Sequence, residues 1–103
     1  VGEEKEILLS IVENIIKGNE EGVLKLKDNY NQKNWNSVRG NAHFLKSNFR
    51  YLGSEELTDL LRSIEHAAPD ENLRNQIEGL LKKFEETYPS VMRDLEAFKA
   101  YLQ

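Results

Sequence analysis

Apolar residues recur at helical spacing along nearly the whole chain, and the first amphipathic stripe begins at Glu3. It stops at Gly18, a residue that readily adopts the left-handed conformation found at helix ends. We therefore predict a first helix, helix A, over residues 3–17, with an apolar face formed by Ile7, Leu8, Ile11, Val12, Ile15 and Ile16. Asn19 is a suitable N-cap for a short helix B, which should end near Asn31.

The clearest periodicity in the chain predicts helix C, which follows the candidate N-cap Asn34 and stops at Gly53. Its apolar residues keep an unbroken spacing of three and four: Trp35, Val38, Ala42, Leu45, Phe49 and Leu52. Ser54 is the candidate N-cap of helix D, which Pro69 and Asp70 should end. The apolar side of helix D consists of Leu57, Leu60, Leu61, Ile64 and Ala68.

A last apolar seam predicts helix E, from Glu71 to the C-terminus. Its residues are at core spacing: Leu73, Ile77, Leu80, Phe84, Tyr88, Val91, Leu95, Phe98 and Leu102. Because the ring of Pro89 removes a backbone donor and crowds the preceding turn, we expect a kink or a break there. No stretch alternates as a strand would, so the predicted fold class is all-α. Short turns favour antiparallel neighbours, and we expect helices B to E to form an antiparallel up-down four-helix bundle, with the additional N-terminal helix A packed across one end.

Composition limits the possible functions. The 103 residues, 39% hydrophobic and 31% charged, suit one helical domain over residues 1–103. The absence of cysteine excludes disulfides and thiol catalysis. No apolar run approaches the roughly 20 residues of a membrane span, so we expect a cytoplasmic chain without membrane contact. A net charge of −4 argues against general nucleic-acid binding, which would fall steeply with salt.

One histidine on helix C is a candidate for chemistry. At about 100° per residue, His43 lies roughly 130° from the centre of the apolar seam, so it should face solvent. Three cations fall within roughly 60° of it, and small residues border its other side. The cations are Arg39, Lys46 and Arg50, and the bordering residues are Asn36, Gly40 and Ser47. Nearby positive charge favours a neutral, nucleophilic imidazole and would stabilise phosphoryl oxygens.

The residues around this histidine carry a family resemblance. The string His43-Phe44-Leu45-Lys46-Ser47 is similar to the His-x-Leu-Lys-Gly signature of histidine-containing phosphotransfer (HPt) domains. The resemblance covers most of the chain, and it extends to Leu52-Gly53, Asn34-Trp35, Ala42-His43, Glu55-Glu56-Leu57, Leu61, Ile64-Glu65 and Ala68. It departs from the family at Ser47, where glycine is usual.

The resemblance implies roles for individual residues. His43 would be the phosphoacceptor, Lys46 would contact the phosphoryl group, and Ser47 would give a partner access, with its hydroxyl contacting the phosphoryl group or capping His43. Arg39 and Arg50 are candidates for electrostatic support, with ordinary solvated charge as the alternative. Phe44 and Tyr51 could form an aromatic docking patch, or a neighbouring helix could cover Phe44, which we favour.

The same resemblance implies a function in two-component phosphorelays. His43 would accept a phosphoryl group from the aspartate of a receiver domain and pass it to another receiver, of a response regulator or a hybrid histidine kinase. The chain has no nucleotide-binding motif, so it would be a phosphocarrier without a kinase site of its own. We expect no bound cofactor, with Mg²⁺ supplied by the receiver. The non-Met start favours the C-terminal module of a membrane-bound hybrid sensor kinase over a free carrier.

Two further expectations concern the oligomeric state and the role of His43. No long unpaired apolar face is left over in the predicted bundle, so we expect a monomer. The rival interpretation is a non-catalytic adaptor bundle, or a degenerate HPt-like interaction domain, in which His43 is incidental. Burial of His43 would favour that rival. His66 is expected to be a surface or boundary side chain, and together with His43 and Glu65 it is a poor candidate for a metal site.

Overall fold

A computed structural model describes residues 2–103, which form four α-helices and one short 3-10 turn. The helices are α1 (Gly2–Asn31), α2 (Trp35–Tyr51), α3 (Glu55–Ala67) and α4 (Ile77–Leu102), and the 3-10 turn is Arg74–Gln76. Strands are absent from residues 2–103, so the all-α class is confirmed. None of the helices in this range is long and apolar enough to cross a membrane.

The predicted break at Gly18 is wrong, because helices A and B form the single helix α1. A Cβ atom at Gly18 would lie 3.8 Å from Cζ of Phe44, and one at Gly22 would lie only 2.8 Å from Cδ2 of Leu45. Gly22 therefore allows α1 to approach α2 closely, Gly18 makes only an ordinary contact, and neither glycine ends a helix. Asn19 is fully buried and does not cap a helix. Within residues 2–103, no separate N-terminal helix lies across one end of the bundle.

Hydrogen bonds between α1 and α2 show that these two helices run in opposite directions. Asn29 Nδ2 donates to Asn41 Oδ1 at 2.8 Å, and Asn48 Nδ2 donates to Asn19 Oδ1 at 2.9 Å. Residue numbers therefore fall along α1 as they rise along α2. The three residues between the helices allow this reversal, as the sequence indicated.

The helix pair α1 and α4 is antiparallel as well. Lys27 Nζ lies 3.5 Å from Glu85 Oε1, and Asn19 Nδ2 donates to Met92 Sδ at 3.8 Å. Helix α3 packs against both α2 and α4, so the four helices enclose one core. Helix α4 starts later than predicted, at Ile77, and continues through Pro89 without a break.

The buried stripe of α2 determines which residues of that helix face outwards. Its buried residues all belong to the predicted seam, whose end residues Trp35 and Leu52 are only partly buried. The buried residues are Val38, Ala42, Leu45 and Phe49. The ring of Phe49 meets that of Phe84 edge to face, with centroids 5.9 Å apart. Asn34 and Ser54 occupy the predicted N-cap positions of α2 and α3, although neither side chain bonds to its helix. Gly53 adopts a left-handed φ of 80° in the turn between them.

The helices differ in length, and this leaves part of the molecule with only two layers. At 1.5 Å per residue, the 30 residues of α1 and the 26 of α4 span about 45 and 39 Å, against about 26 Å for α2 and 20 Å for α3. Residues 2–15 of α1 and 93–102 of α4 therefore continue past the turn between α2 and α3. We call these two segments the two-helix extension.

The two-helix extension carries an apolar surface that the sequence did not predict. We call it the apolar end face, and its exposed side chains are Ile7, Leu8, Ile11, Phe98 and Tyr101. Phe98 was expected in the core, but α3 begins too far away to cover it. The premise behind the predicted monomer, that no apolar face is left over, is therefore wrong.

Candidate functional site

Helix α2 presents His43 to solvent. Its neighbours Ala42 and Leu45 are fully buried, so the rotation of the helix directs His43 to the opposite side. The His43 side chain is 63% exposed. The expectation of an accessible histidine is therefore met, and the burial that would have favoured a purely structural role is not found.

A carboxylate from the neighbouring helix contacts this histidine. Glu65 Oε2 on α3 lies 2.9 Å from His43 Nδ1. From the sequence, Glu65 was part of the family resemblance and of a poor candidate metal site, and no role beside His43 was predicted for it. The antiparallel pairing of α2 and α3 was predicted, but not its register, which brings residues 22 positions apart to the same level.

Lys46 is held by the same carboxylate. Its Nζ atom lies 2.7 Å from Glu65 Oε1, and the two side chains are only 15% and 20% exposed. This ion pair provides the buried Oε1 atom with its partner. Lys46 therefore lies one turn from His43, as predicted, but it leans towards α3 and shares Glu65 with the histidine.

The electrostatics of the site keep Glu65 ionised. Partial burial is the largest single influence and by itself raises the pKa of the Glu65 carboxyl. The hydrogen bonds and charges of Lys46 and His43 together outweigh that influence, so the pKa of Glu65 lies below its ordinary value. Near neutral pH the side chain is a carboxylate that accepts hydrogen bonds and cannot donate them.

The ionised carboxylate determines the tautomer of the neutral imidazole. Because Glu65 can only accept, the 2.9 Å contact requires a proton on His43 Nδ1. The lone pair of a neutral ring is then on Nε2, the nitrogen on the far side from Glu65. The sequence alone could not distinguish the two nitrogens.

Ser47 bonds to the helix backbone. Its Oγ atom donates to the carbonyl oxygen of His43 at 3.2 Å, one turn back along α2. The hydroxyl therefore contacts His43 through its backbone, while a contact with a phosphoryl group stays a prediction. Because the Ser47 side chain is small, it does not obstruct access to the imidazole.

Arg39 and Arg50 lie on the exposed side of α2, one on either side of His43 along the helix. Neither forms an ion pair with any residue in the range 2–103. An open groove of about 290 Å³ beside the histidine is lined by Asn36, Arg39, Gly40, His43 and Glu65. Arg39 also borders a second groove, of about 540 Å³, with Lys46, Arg62, Glu65, His66 and Pro69.

Three other candidate residues, Phe44, Tyr51 and His66, lie on the surface or partly on it. Phe44 leans on Gly18 and Gly22 of α1 but stays about half exposed, so the neighbouring helix covers it only in part. Tyr51 is exposed at the end of α2 and does not form an aromatic pair with Phe44 within residues 2–103. His66 is exposed, as expected. In the same range no cluster of three His, Asp or Glu residues is arranged to hold a metal ion.

Comparison with known proteins identifies the family. A family model described as the Hpt domain matches residues 10–100, which is most of the chain. No curated protein and no solved structure matches the chain significantly. The chain therefore belongs to the Hpt domain family, whose members take part in phosphotransfer in two-component systems and interact with receiver domains.

Proposed function

We propose that His43 is the phosphoacceptor of this domain and that it carries a phosphoryl group between aspartates of receiver domains in a His–Asp phosphorelay. The observation that carries the proposal is the exposed imidazole whose Nδ1 atom is bonded to Glu65, which leaves Nε2 facing solvent with its lone pair. An adaptor bundle would need neither the exposure nor the orientation of this ring.

In the proposed reaction, Nε2 of His43 attacks the phosphorus of a receiver aspartyl phosphate in line. A nitrogen–phosphorus bond forms as the phosphorus–oxygen bond breaks, and the aspartate leaves as a carboxylate. The ring keeps its proton on Nδ1 and acquires positive charge as Nε2 gives up its lone pair. Glu65 stabilises that charge through the 2.9 Å contact and holds the ring in orientation. The next receiver reverses the step.

The cations of the site act on the phosphoryl oxygens. Lys46 is anchored by Glu65 one turn from His43, so its ammonium is positioned in advance. Arg39 and Arg50 lend longer-range positive potential to the same face. Ser47 is small and so gives the receiver access to the imidazole.

Magnesium comes from the partner in this proposal. The site of this chain offers one carboxylate, Glu65, and both of its oxygens already have partners in Lys46 and His43. When bound by the receiver, Mg²⁺ would supply neutralisation of charge on the transferred group. We also propose that the domain acts in the cytoplasm as part of a hybrid sensor histidine kinase.

The test is transfer of labelled phosphate from a phosphorylated receiver domain, with magnesium, to the wild-type chain and to two variants. His43→Gln should take up no label. His66→Gln is the matched control, because it removes the other histidine of the chain, and it should be labelled like the wild type. The label should be acid-labile, as expected for a phosphoramidate. Equal labelling of His43→Gln and the wild type would refute the proposal.

A further inference from the structure

The apolar end face concentrates exposed apolar surface in one place. Of the eight large apolar side chains that are exposed within residues 2–103, five belong to this face. Ile7 is 59% exposed and Tyr101 is 76% exposed, and the rings of Phe98 and Tyr101 stack with centroids 6.4 Å apart. An apolar cluster of this kind on a small domain commonly marks an interaction surface.

On α1, this face continues the stripe that α2 covers elsewhere. Gly18 and Gly22 face Phe44 of α2. Ile11 lies seven residues before Gly18, or about two turns, so it points in nearly the same direction. Ile11 lies beyond the end of α2. No helix within residues 2–103 therefore covers Ile11 in the way that α2 covers Gly18 and Gly22.

On α4, the face continues the side that α3 covers. Lys83 borders a groove together with Glu56 and Leu60 of α3. Tyr101 follows Lys83 by five turns of helix, about 18 residues, and therefore points to the same side. Phe98 stands one turn before Tyr101 on the same edge. The two-helix extension is thus half of a four-helix bundle, with the positions of two helices open.

We propose that a second copy of this chain fills those positions. Two extensions packed face to face about a two-fold axis would form a four-helix bundle, in which each copy supplies the two helices that the other lacks. The contact is self-complementary because the surface is apolar on both copies.

The size of the face indicates how tight this association should be. Two helices side by side are about 20 Å wide, and the segments of the extension are about 15 and 21 Å long, so the flat footprint is about 300–400 Å² per copy. A standard stable interface buries about 800 Å² per partner. Interlocking side chains would bury more area than the flat footprint. Because that footprint is only about half of the standard area, the dimer belongs to the weak class. We expect a dissociation constant between micromolar and millimolar.

Charges around the face give the dimer a distinctive response to salt. The charged side chains nearest the face are acidic and exposed, namely Glu3 and Glu4 on α1 and Asp94 on α4. The cations Lys5 and Arg93 lie more than about 100° away from the face around their helices. Two copies would bring like charges together, so screening by salt should strengthen the association. Kosmotropic salts also strengthen apolar burial, which would be confused with the effect of screening. Sodium chloride is therefore the salt to use.

The proposed contact leaves the phosphotransfer site open. Asn19 and Asn48 are hydrogen-bonded and therefore level with each other along the bundle. Counted from that level, His43 lies about 8 Å to one side and Ile11 about 12 Å to the other, a separation of about 20 Å along the axis. The dimer would carry two accessible histidines, and its formation does not depend on the function proposed for them.

Sedimentation over a concentration series, from about 10 µM to 1 mM, tests the proposal. The wild-type mass should rise from that of the 12.0 kDa chain towards twice that value, and more readily in added sodium chloride. Ile7→Asp and Tyr101→Asp should each keep the monomer mass throughout. Leu24→Asp is the matched control, since Leu24 is 67% exposed but lies outside the face, and it should behave as the wild type.

Two results would overturn the proposal. One is a wild-type chain that keeps the monomer mass at the highest concentration, and the other is a Leu24→Asp variant that dissociates as readily as Ile7→Asp. Helix content and melting temperature of every variant establish that the fold is kept. Because the chain has no cysteine, Ala97→Cys allows one spin label per chain, and a defined dipolar distance between two labels should disappear when Ile7→Asp is added.

Discussion

Replacement of Glu65 by alanine tests how the site works, because this one side chain contacts both His43 and Lys46. The change removes the acceptor for Nδ1 and leaves the Lys46 ammonium, only 15% exposed, without its carboxylate. A hydrogen bond to a charged group contributes about 1.5–3 kcal/mol. Since about 1.4 kcal/mol corresponds to a tenfold change in rate, phosphoryl transfer should slow by about 10-fold to 100-fold.

The assay is the rate of transfer from a phosphorylated receiver at pH 7, followed by rapid quench. Glu65→Gln separates orientation from charge, because its amide oxygen can still accept from Nδ1 but carries no negative charge. We expect its rate to lie between those of the wild type and Glu65→Ala. Glu86→Ala, which removes an exposed glutamate of α4, is the control and should transfer normally. Wild-type rates for Glu65→Ala, in a variant shown to be folded, would refute the role given to this carboxylate.

Three further predictions concern stability and access. Gly22→Ala should lower the free energy of unfolding by about 1–2 kcal/mol, because its Cβ would lie 2.8 Å from Leu45 Cδ2. Gly79→Ala should raise the free energy of unfolding by about 0.5–1 kcal/mol, because its Cβ would meet nothing within 4 Å. Urea unfolding measures both changes. Ser47→Gly should leave the transfer rate within about twofold and lower stability by about 1 kcal/mol, since the hydroxyl bonds only to the His43 carbonyl. A large loss of transfer in this variant would contradict that assignment. Burial alone would raise the pKa of Glu65, but its contacts hold that pKa below the ordinary value of 4.5. The stability that the ionised form provides is therefore present above about pH 4.5, and it is lost as the pH falls through the pKa of the folded state. The stability difference between wild type and Glu65→Gln should therefore shrink in acid, and a difference that grows would contradict the sign.

The sequence predicted the helices best where the apolar spacing was unbroken. In α2 every residue predicted to be buried between Val38 and Phe49 is buried, and the outward direction of His43 followed from the same arithmetic. The spacing works because burying one stripe fixes the rotation of the whole helix.

The break at Gly18 was predicted wrongly because glycine serves two purposes that look alike in a sequence. A glycine can end a helix, or it can let another helix approach closely. The close approach occurs at Gly22, against Leu45, whereas Gly18 makes an ordinary contact with Phe44, and both partners lie more than 20 residues away. Asn19 was misinterpreted for the same reason, since its hydrogen-bond partner Asn48 comes from another helix.

The parts of the site that the sequence could not give are contacts between helices. Lys46 was placed correctly one turn from His43, but its ion pair with Glu65 depends on the register of α2 against α3. The exposure of Phe98 likewise depends on where α3 begins relative to α4. Periodicity along one helix contains neither quantity.

The most direct test of the central claim locates the phosphate on the imidazole. The chain, labelled with ¹⁵N in its histidines, would be phosphorylated by a receiver and examined by long-range proton–nitrogen NMR under mildly alkaline conditions. We predict that the Nε2 resonance of His43 shifts on phosphorylation, while Nδ1 keeps its proton and both nitrogens of His66 stay unchanged. Phosphate on Nδ1 of His43, or on His66, would contradict the account.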